Sequence, residues 1–363
     1  MSPLSATFGD AVSSIPGLTG ENIDVTTYTF GFSAQQNIWD FGRSLAINRQ
    51  ASLNEELSKI RFEKKKTEIS FNIKKAYYGL LQAKAMEKVT LLTLKEIENL
   101  KESVKERKKQ GMATVVDVLN AESEYARFKL ETSKANHAVE LAMSSLLNTM
   151  GEKMDAQADI QEENFPLPEE FPLGFKSFDE CKIIALAQKL DLKESEVQKQ
   201  VTEALLSYAS SDWWPSIGAN AGYNWTDNKF FPEKPSWNVG LSISLPLFKG
   251  FSRLAKVEAA DYDAKSASAG KDSVTQAVII MAKNNYFKAL EGKESFDASV
   301  KKEDYLKNNF ESINAKYNEG LATITDLIEA QTKKANTELE KQQLLYNYHL
   351  SLSELEYSIG GLK

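Results

Sequence analysis

The chain is poor in the side chains that build cofactor and metal chemistry. Its 363 residues include one cysteine, Cys181, and two histidines, His137 and His349. One cysteine closes no disulfide within a chain and builds no cysteine zinc cluster, so no catalytic residue, cofactor or metal is expected. Positive charge is also short: the net charge is -7, and nucleic-acid binding normally needs a basic face. No apolar run reaches the ~18 residues of a membrane-spanning helix. Any spanning structure must therefore be a β-barrel. Met1-Ser2-Pro3-Leu4-Ser5 has neither a basic start nor an apolar core, so no signal peptide is read. Either the protein is cytoplasmic or the sequence begins partway into a longer one, and the internal repeat favours the second reading.

What the chain does have is an internal repeat. Lys75-Ala76-Tyr77-Tyr78-Gly79-Leu80 is echoed by Asn285-Tyr286-Phe287-Lys288-Ala289-Leu290, with Tyr286 falling 209 residues after Tyr77. The same offset relates Gly111 to Gly320, Gly151 to Gly360 and Trp39 to Phe248. A fixed offset held across more than one motif is the mark of a duplicated unit. The two copies are residues 1–151 and 179–363, joined by an acidic, proline-bearing linker over 152–178 with Pro166, Pro168 and Pro172.

Each copy opens with short alternating stretches. Trp237, Val239, Leu241, Ile243 and Leu245 alternate with Asn238, Gly240, Ser242 and Ser244, and Ile217, Ala219, Ala221, Tyr223 and Trp225 alternate with Gly218, Asn220, Gly222 and Asn224. This is the period of a strand with one apolar face. Strands are expected at about 3–12 and 24–38 in the first copy and at about 215–226 and 236–247 in the second. The small polar face fits either a soluble sandwich or a water-filled barrel lumen. The aromatics Tyr28, Trp39, Tyr223, Trp225 and Trp237 suit the interfacial girdles of membrane barrels. Four strands close no barrel, so a barrel requires several chains.

A very long helical stretch follows each strand pair. Between Gly42 and Gly111 there is no proline and Gly79 is the only glycine. Apolar residues recur every three or four positions at Ile73, Tyr77, Leu80, Leu94, Ile97, Leu100 and Val104. Helices are expected over 42–110 and 250–319, each on the order of 100 Å at 1.5 Å per residue. Returning helices are expected over 114–150 and 323–359, with a further helix over 179–210. Gly111 and Gly320 mark hairpin tips. Thr114 and Thr323, each three residues before an aspartate (Asp117, Asp326), read as N-caps. The return helix and the helix over 179–210 together match one long helix in length.

This order of elements resembles the TolC family of outer-membrane efflux and secretion channels over nearly the whole chain. The most specific parts are Ser244-Leu245-Pro246-Leu247-Phe248-Lys249-Gly250, similar to the family's strand-to-helix elbow, and Tyr317-Asn318-Glu319-Gly320-Leu321-Ala322-Thr323-Ile324-Thr325-Asp326-Leu327, similar to its hairpin tip. Trp214-Pro215-Ser216-Ile217-Gly218-Ala219 is similar to the approach to the barrel. The resemblance implies a mainly α protein with membrane β: long helical hairpins forming an α-barrel, and four strands per chain in a trimeric twelve-stranded β-barrel. It implies a homotrimer in the outer membrane and its lipid, extending into the periplasm. A periplasmic adaptor would open it, and an inner-membrane pump or ABC transporter would drive export. The channel is thus a passive duct and not an enzyme.

The same resemblance assigns Asp117, Tyr317, Asp326 and Glu329 to the channel's entrance constriction. Glu329 stands where the family pattern has an aspartate. Threefold symmetry would turn each carboxylate into a ring of three, which attracts cations and raises carboxyl pKa values by crowding. From spacing alone, Asp117 and Asp326 equally serve as helix-start residues. The tips Gly111, Met112, Ala113, Thr114 and Gly320, Leu321, Ala322, Thr323 are candidate adaptor-docking surfaces, or simply tight turns. Asp40-Phe41-Gly42 reads as a turn between strand and helix, and Lys105, Arg107, Lys108 and Lys109 as a solvated helix face. The competing reading of the whole chain is a soluble coiled-coil scaffold with its strands in a small separate domain. The exported cargo is not legible.

Overall fold

The structure is a computed structural model that describes residues 26–153, 177–228, 230, 233 and 235–361. The strand expected at about 3–12 and most of the 152–178 linker lie outside the described residues. The elements run β1 (Tyr28–Trp39), α1 (Arg43–Lys109), α2 (Val115–Met150), α3 (Phe178–Gln188), α4 (Leu190–Ser211), β2 (Ser216–Asp227), β3 (Pro235–Ser244), α5 (Ser252–Asn318) and α6 (Ile324–Ile359). They fall into two compact units. One holds the strands, up to Ser44 and over Tyr208–Leu254; the other holds the helices, Leu45–Ser207 and from Ala255 onward. Each unit therefore draws on both sequence copies.

In the strand unit β1, β2 and β3 form an antiparallel sheet in that order. Register decides its chemistry, because side chains alternate faces. Phe32 pairs with Tyr223 and Tyr223 with Trp237; Ala34 pairs with Ala221 and Ala221 with Val239; Ile217 pairs with Ile243. This face is apolar apart from Gln36, opposite Ala219, and Asp227 at its hairpin end, opposite Tyr28. The other carries Gly31, Ser33 and Gln35 beside Asn224, Gly222 and Asn220, and these beside Ser236, Asn238 and Gly240. No charged side chain occurs in β1 or β3, and β2 has only its last residue, Asp227. Among the described residues nothing covers the apolar face, and Trp237 is 75%, Leu241 77% and Phe32 72% exposed.

The polar face is interlocked. A Cβ on Gly31 would meet the Asn224 side-chain oxygen at 1.9 Å, one on Gly222 the Asn238 oxygen at 2.5 Å, and one on Gly240 the Asn220 oxygen at 2.9 Å. Each asparagine lies in the slot a glycine leaves open.

The strands hand over to the long helices through two related turns. Phe41 and Gly42 have φ of 51° and 91°, and their repeat partners Gly250 and Phe251 have 56° and 62°. In each turn a backbone bond spans three residues, Arg43 N–H to Asp40 C=O and Ser252 N–H to Lys249 C=O, both at 3.2 Å. Asp40-Phe41-Gly42 is thus a turn, and the Asp40 carboxylate accepts from the Ser44 N–H at 3.0 Å to cap α1.

The helix unit has α1 and α5 of 67 residues each, α2 and α6 of 36 each. At helical rise, 67 residues span about 100 Å. Their contacts form small separate clusters spaced along the helices. Leu53 and Leu57 pack on Val197, Val201 and Ala204. Cys181 and Ala185 pack with Val278, Ala282, Leu355 and Ile359. Ile97, Phe128 and Ala335 form another cluster. Ile97 is 1% exposed, and Ile97→Val is expected to cost about 1 kcal/mol, read as a lower denaturant midpoint at unchanged slope.

The single helix expected over 179–210 is two. Lys189 breaks it with an extended ψ of 122°, although neither proline nor glycine stands there. The cause is tertiary. The Lys189 side chain is buried, donates to the Tyr357 carbonyl at 2.9 Å near the end of α6, lies 4.0 Å over the Tyr357 ring and sits 3.6 Å from Asp191. Burial lowers its pKa, partly offset by Asp191.

Candidate functional site

The two hairpin tips are built alike. In the first, Gly111 takes φ of 76°, the Met112 N–H returns to the Arg107 carbonyl at 2.8 Å, and Thr114 caps α2. The cap is reciprocal: the Thr114 N–H donates to Asp117 at 2.7 Å and the Asp117 N–H donates to the Thr114 hydroxyl at 3.1 Å. In the second, Gly320 has φ of 75° and the Leu321 N–H returns to the Lys316 carbonyl at 2.8 Å. The Thr323 N–H donates to Asp326 at 2.9 Å and the Asp326 N–H to the Thr323 hydroxyl at 3.2 Å. Such a box satisfies two backbone donors that a helix start leaves orphaned.

The tips meet over one apolar cluster of Val104, Val118, Ala121, Tyr317, Ile324 and Leu327. Tyr317 is buried there, and burial raises its pKa against the opposing pull of Arg107. The Arg107 guanidinium lies 4.5 Å over the Tyr317 ring. It also donates to the Tyr317 carbonyl at 3.2 Å and to the Asn318 side-chain oxygen at 3.1 Å. One arginine at the end of α1 therefore clasps the last turn of α5.

Of the four residues assigned to a constriction, the structure brings Asp117 near Tyr317, whose pKa its charge helps raise. Asp326 is exposed and spends its carboxylate on the Thr323 cap, and Glu329 pairs with Lys333 at 2.6 Å one turn along α6. Asp326 has its pKa lowered by the Thr323 hydrogen bonds; within one chain capping, and not crowding, sets it. Its contribution is present above the ordinary value of 3.8 and is lost as pH falls through the lower folded value. Amide exchange at Thr323 is expected to stay slow down to that pH and to quicken below it. At the tips, Met112 and Leu321 are 67% and 74% exposed.

Sequence reasoning missed Arg107, reading it as part of a solvated basic stretch. The available signal was residue type. It is the arginine among lysines, and a planar guanidinium stacks on aromatic faces where an ammonium does so less well.

No helix among the described residues is long and apolar enough to cross a membrane. The sequence profile described as Outer membrane efflux protein matches residues 4–152 and 184–361. Outer membrane protein TolC of Escherichia coli is 20% identical over 345 residues, covering 90% of this chain and 68% of that protein. The alkaline protease secretion protein AprF of Pseudomonas aeruginosa is 20% identical over 349 residues, covering 94% and 71%. The solved structure of the outer membrane protein VceC from Vibrio cholerae superposes with a TM-score of 0.79 at 16% identity, covering 93% of this chain and 87% of that one. With this profile matched over most of its length, the chain belongs to the outer membrane efflux protein family, as a channel of the outer membrane for efflux or type I secretion.

Proposed function

We propose that this channel is a homotrimer whose tips form a gated, acidic entrance worked by a periplasmic adaptor. The observation that carries the reading is the sheet. Its strands of 10 to 12 residues match the ~9–11 residues a tilted strand needs to cross a bilayer. One face is apolar but for Gln36 and the terminal Asp227, and the other is small and polar across all three. The three described strands close no barrel by themselves, and further copies would complete one. The apolar face then meets lipid and the asparagine–glycine face lines water. A soluble scaffold would have to bury that apolar face, and nothing among the described residues covers it.

At the helical end, Asp117, Asp326 and Glu329 supply the negative charge of the entrance, and Tyr317 under Arg107 holds the two tips together. The exposed turns Gly111–Thr114 and Gly320–Thr323 take the adaptor. An inner-membrane pump or ABC transporter then supplies the driving force.

The test is the reversal potential under a salt gradient. The unaltered channel is expected to be cation-selective, and Asp117→Asn with Asp326→Asn and Glu329→Gln to bring the potential close to zero. Glu329→Gln touches no helix cap, so alone it should give a partial shift without loss of stability. Unchanged selectivity in the triple variant would leave Asp117 and Asp326 as caps only and Glu329 as the partner of Lys333.

A further inference from the structure

Charged side chains gather at the helix end of the sheet, where the described ones are Asp40, Arg43, Asp212, Lys249 and Arg253. Two of them share a carboxylate: Arg43 holds one oxygen of Asp212 at 3.0 Å and Lys249 lies 3.6 Å from the other. The Arg43 and Lys249 side chains remain 45% and 42% exposed around a carboxylate that is 18% exposed. Three cations against Asp40 and Asp212 leave one positive charge per chain.

Aromatic rings collect at the same end. Phe41 stacks on Trp214 with centroids 5.3 Å apart and meets Trp39 edge-on at 5.9 Å. Trp213 is fixed from beneath by the buried Arg253, 4.8 Å from its ring, which itself donates to the Pro246 carbonyl. Beyond β3, Leu247 and Phe248 are exposed and continue the apolar surface. An apolar face that ends in half-exposed tryptophans and then in half-exposed cations follows the order of a bilayer leaflet: acyl chain, glycerol, phosphate.

We propose that this end of the sheet is a phospholipid headgroup site. Lys249 and Arg43 take the phosphodiester, and Trp214, Phe41 and Trp213 pack against the glycerol and first acyl carbons. The single surplus positive charge is what one phosphodiester neutralises, and the neighbouring apolar face selects a lipid over a free anion. The proposal rests on the reading that the apolar face of the sheet meets lipid.

Native mass spectrometry of the purified full chain in detergent tests it, with phosphatidylglycerol, diacylglycerol of the same acyl chains, and inorganic phosphate as probes. The unaltered protein should retain phosphatidylglycerol at a concentration about tenfold below that needed for diacylglycerol, the ratio one well-placed charge contact gives. Lys249→Gln and Arg43→Gln should each narrow that difference, while Lys265→Gln, at an exposed pair with Asp261, should not. Inorganic phosphate should fail to displace the lipid. Equal retention of the two lipids by the unaltered protein would overturn the proposal, as would full retention by both variants or displacement by phosphate. If the unaltered chain conducts in bilayers yet ignores the phosphate group, this proposal falls and the channel stands. If it neither conducts nor binds, the membrane reading falls with it.

Discussion

Gly31→Val is expected to abolish assembly of the proposed oligomer while leaving the helices folded. The first atom of the new side chain would lie 1.9 Å from the Asn224 side-chain oxygen and 3.2 Å from the Tyr223 carbonyl. The asparagine can swing away, but the carbonyl is backbone, and the neighbouring slots are already filled by Asn238 against Gly222 and Asn220 against Gly240. Overpacking of this kind typically costs ~1–3 kcal/mol per site, and in the proposed oligomer it recurs in every copy. Semi-native electrophoresis of extracted protein reads the outcome. Pairing Gly31→Val with Asn224→Gly should restore part of the assembled species, because it reopens the slot. Gly79→Ala is the contrast: nothing lies within 4 Å of its added carbon, and inside a helix it should be neutral or stabilise by about 0.5–1 kcal/mol. If Gly31→Val assembled as well as the unaltered chain, the glycine–asparagine interlock would not be what sets the spacing of β1 and β2.

Arg107→Ala is expected to favour the open tip. The substitution removes the guanidinium from the Tyr317 ring and its bonds to the Tyr317 carbonyl and Asn318. Together these are worth about 2 kcal/mol at a half-buried site, or roughly a thirtyfold change per chain in the balance between joined and separated tips. Single-channel recording should show a larger open probability. Arg107→Lys should lie between, keeping the charge but losing the planar fork. A closed probability equal to that of the unaltered channel would place the gate elsewhere.

The fold class was legible because duplication made every local signal appear twice. Gly111 and Gly320, each followed three residues later by a threonine and then an aspartate, announced two capped hairpins, and the structure builds both boxes with matching bonds. Strand alternation was legible for the same physical reason, a period of two over about ten residues. The register that sets glycine against asparagine was not, since it depends on which residues face each other across distant parts of the chain. Nor was the break at Lys189, where helix-compatible residues are overruled by a buried ammonium that reaches the end of α6. Arg107 was legible as charge but not as contact, because its partner lies 210 residues away.

The most direct test of the channel is the conductance of the unaltered full chain in planar bilayers. Discrete steps that recur at one unit size, with a reversal potential on the cation side, are the result expected of a barrel with an acidic entrance. A protein that stayed in the aqueous fraction and gave no steps at any voltage would contradict it, and the bare apolar face of the sheet would then have to be covered by some other partner.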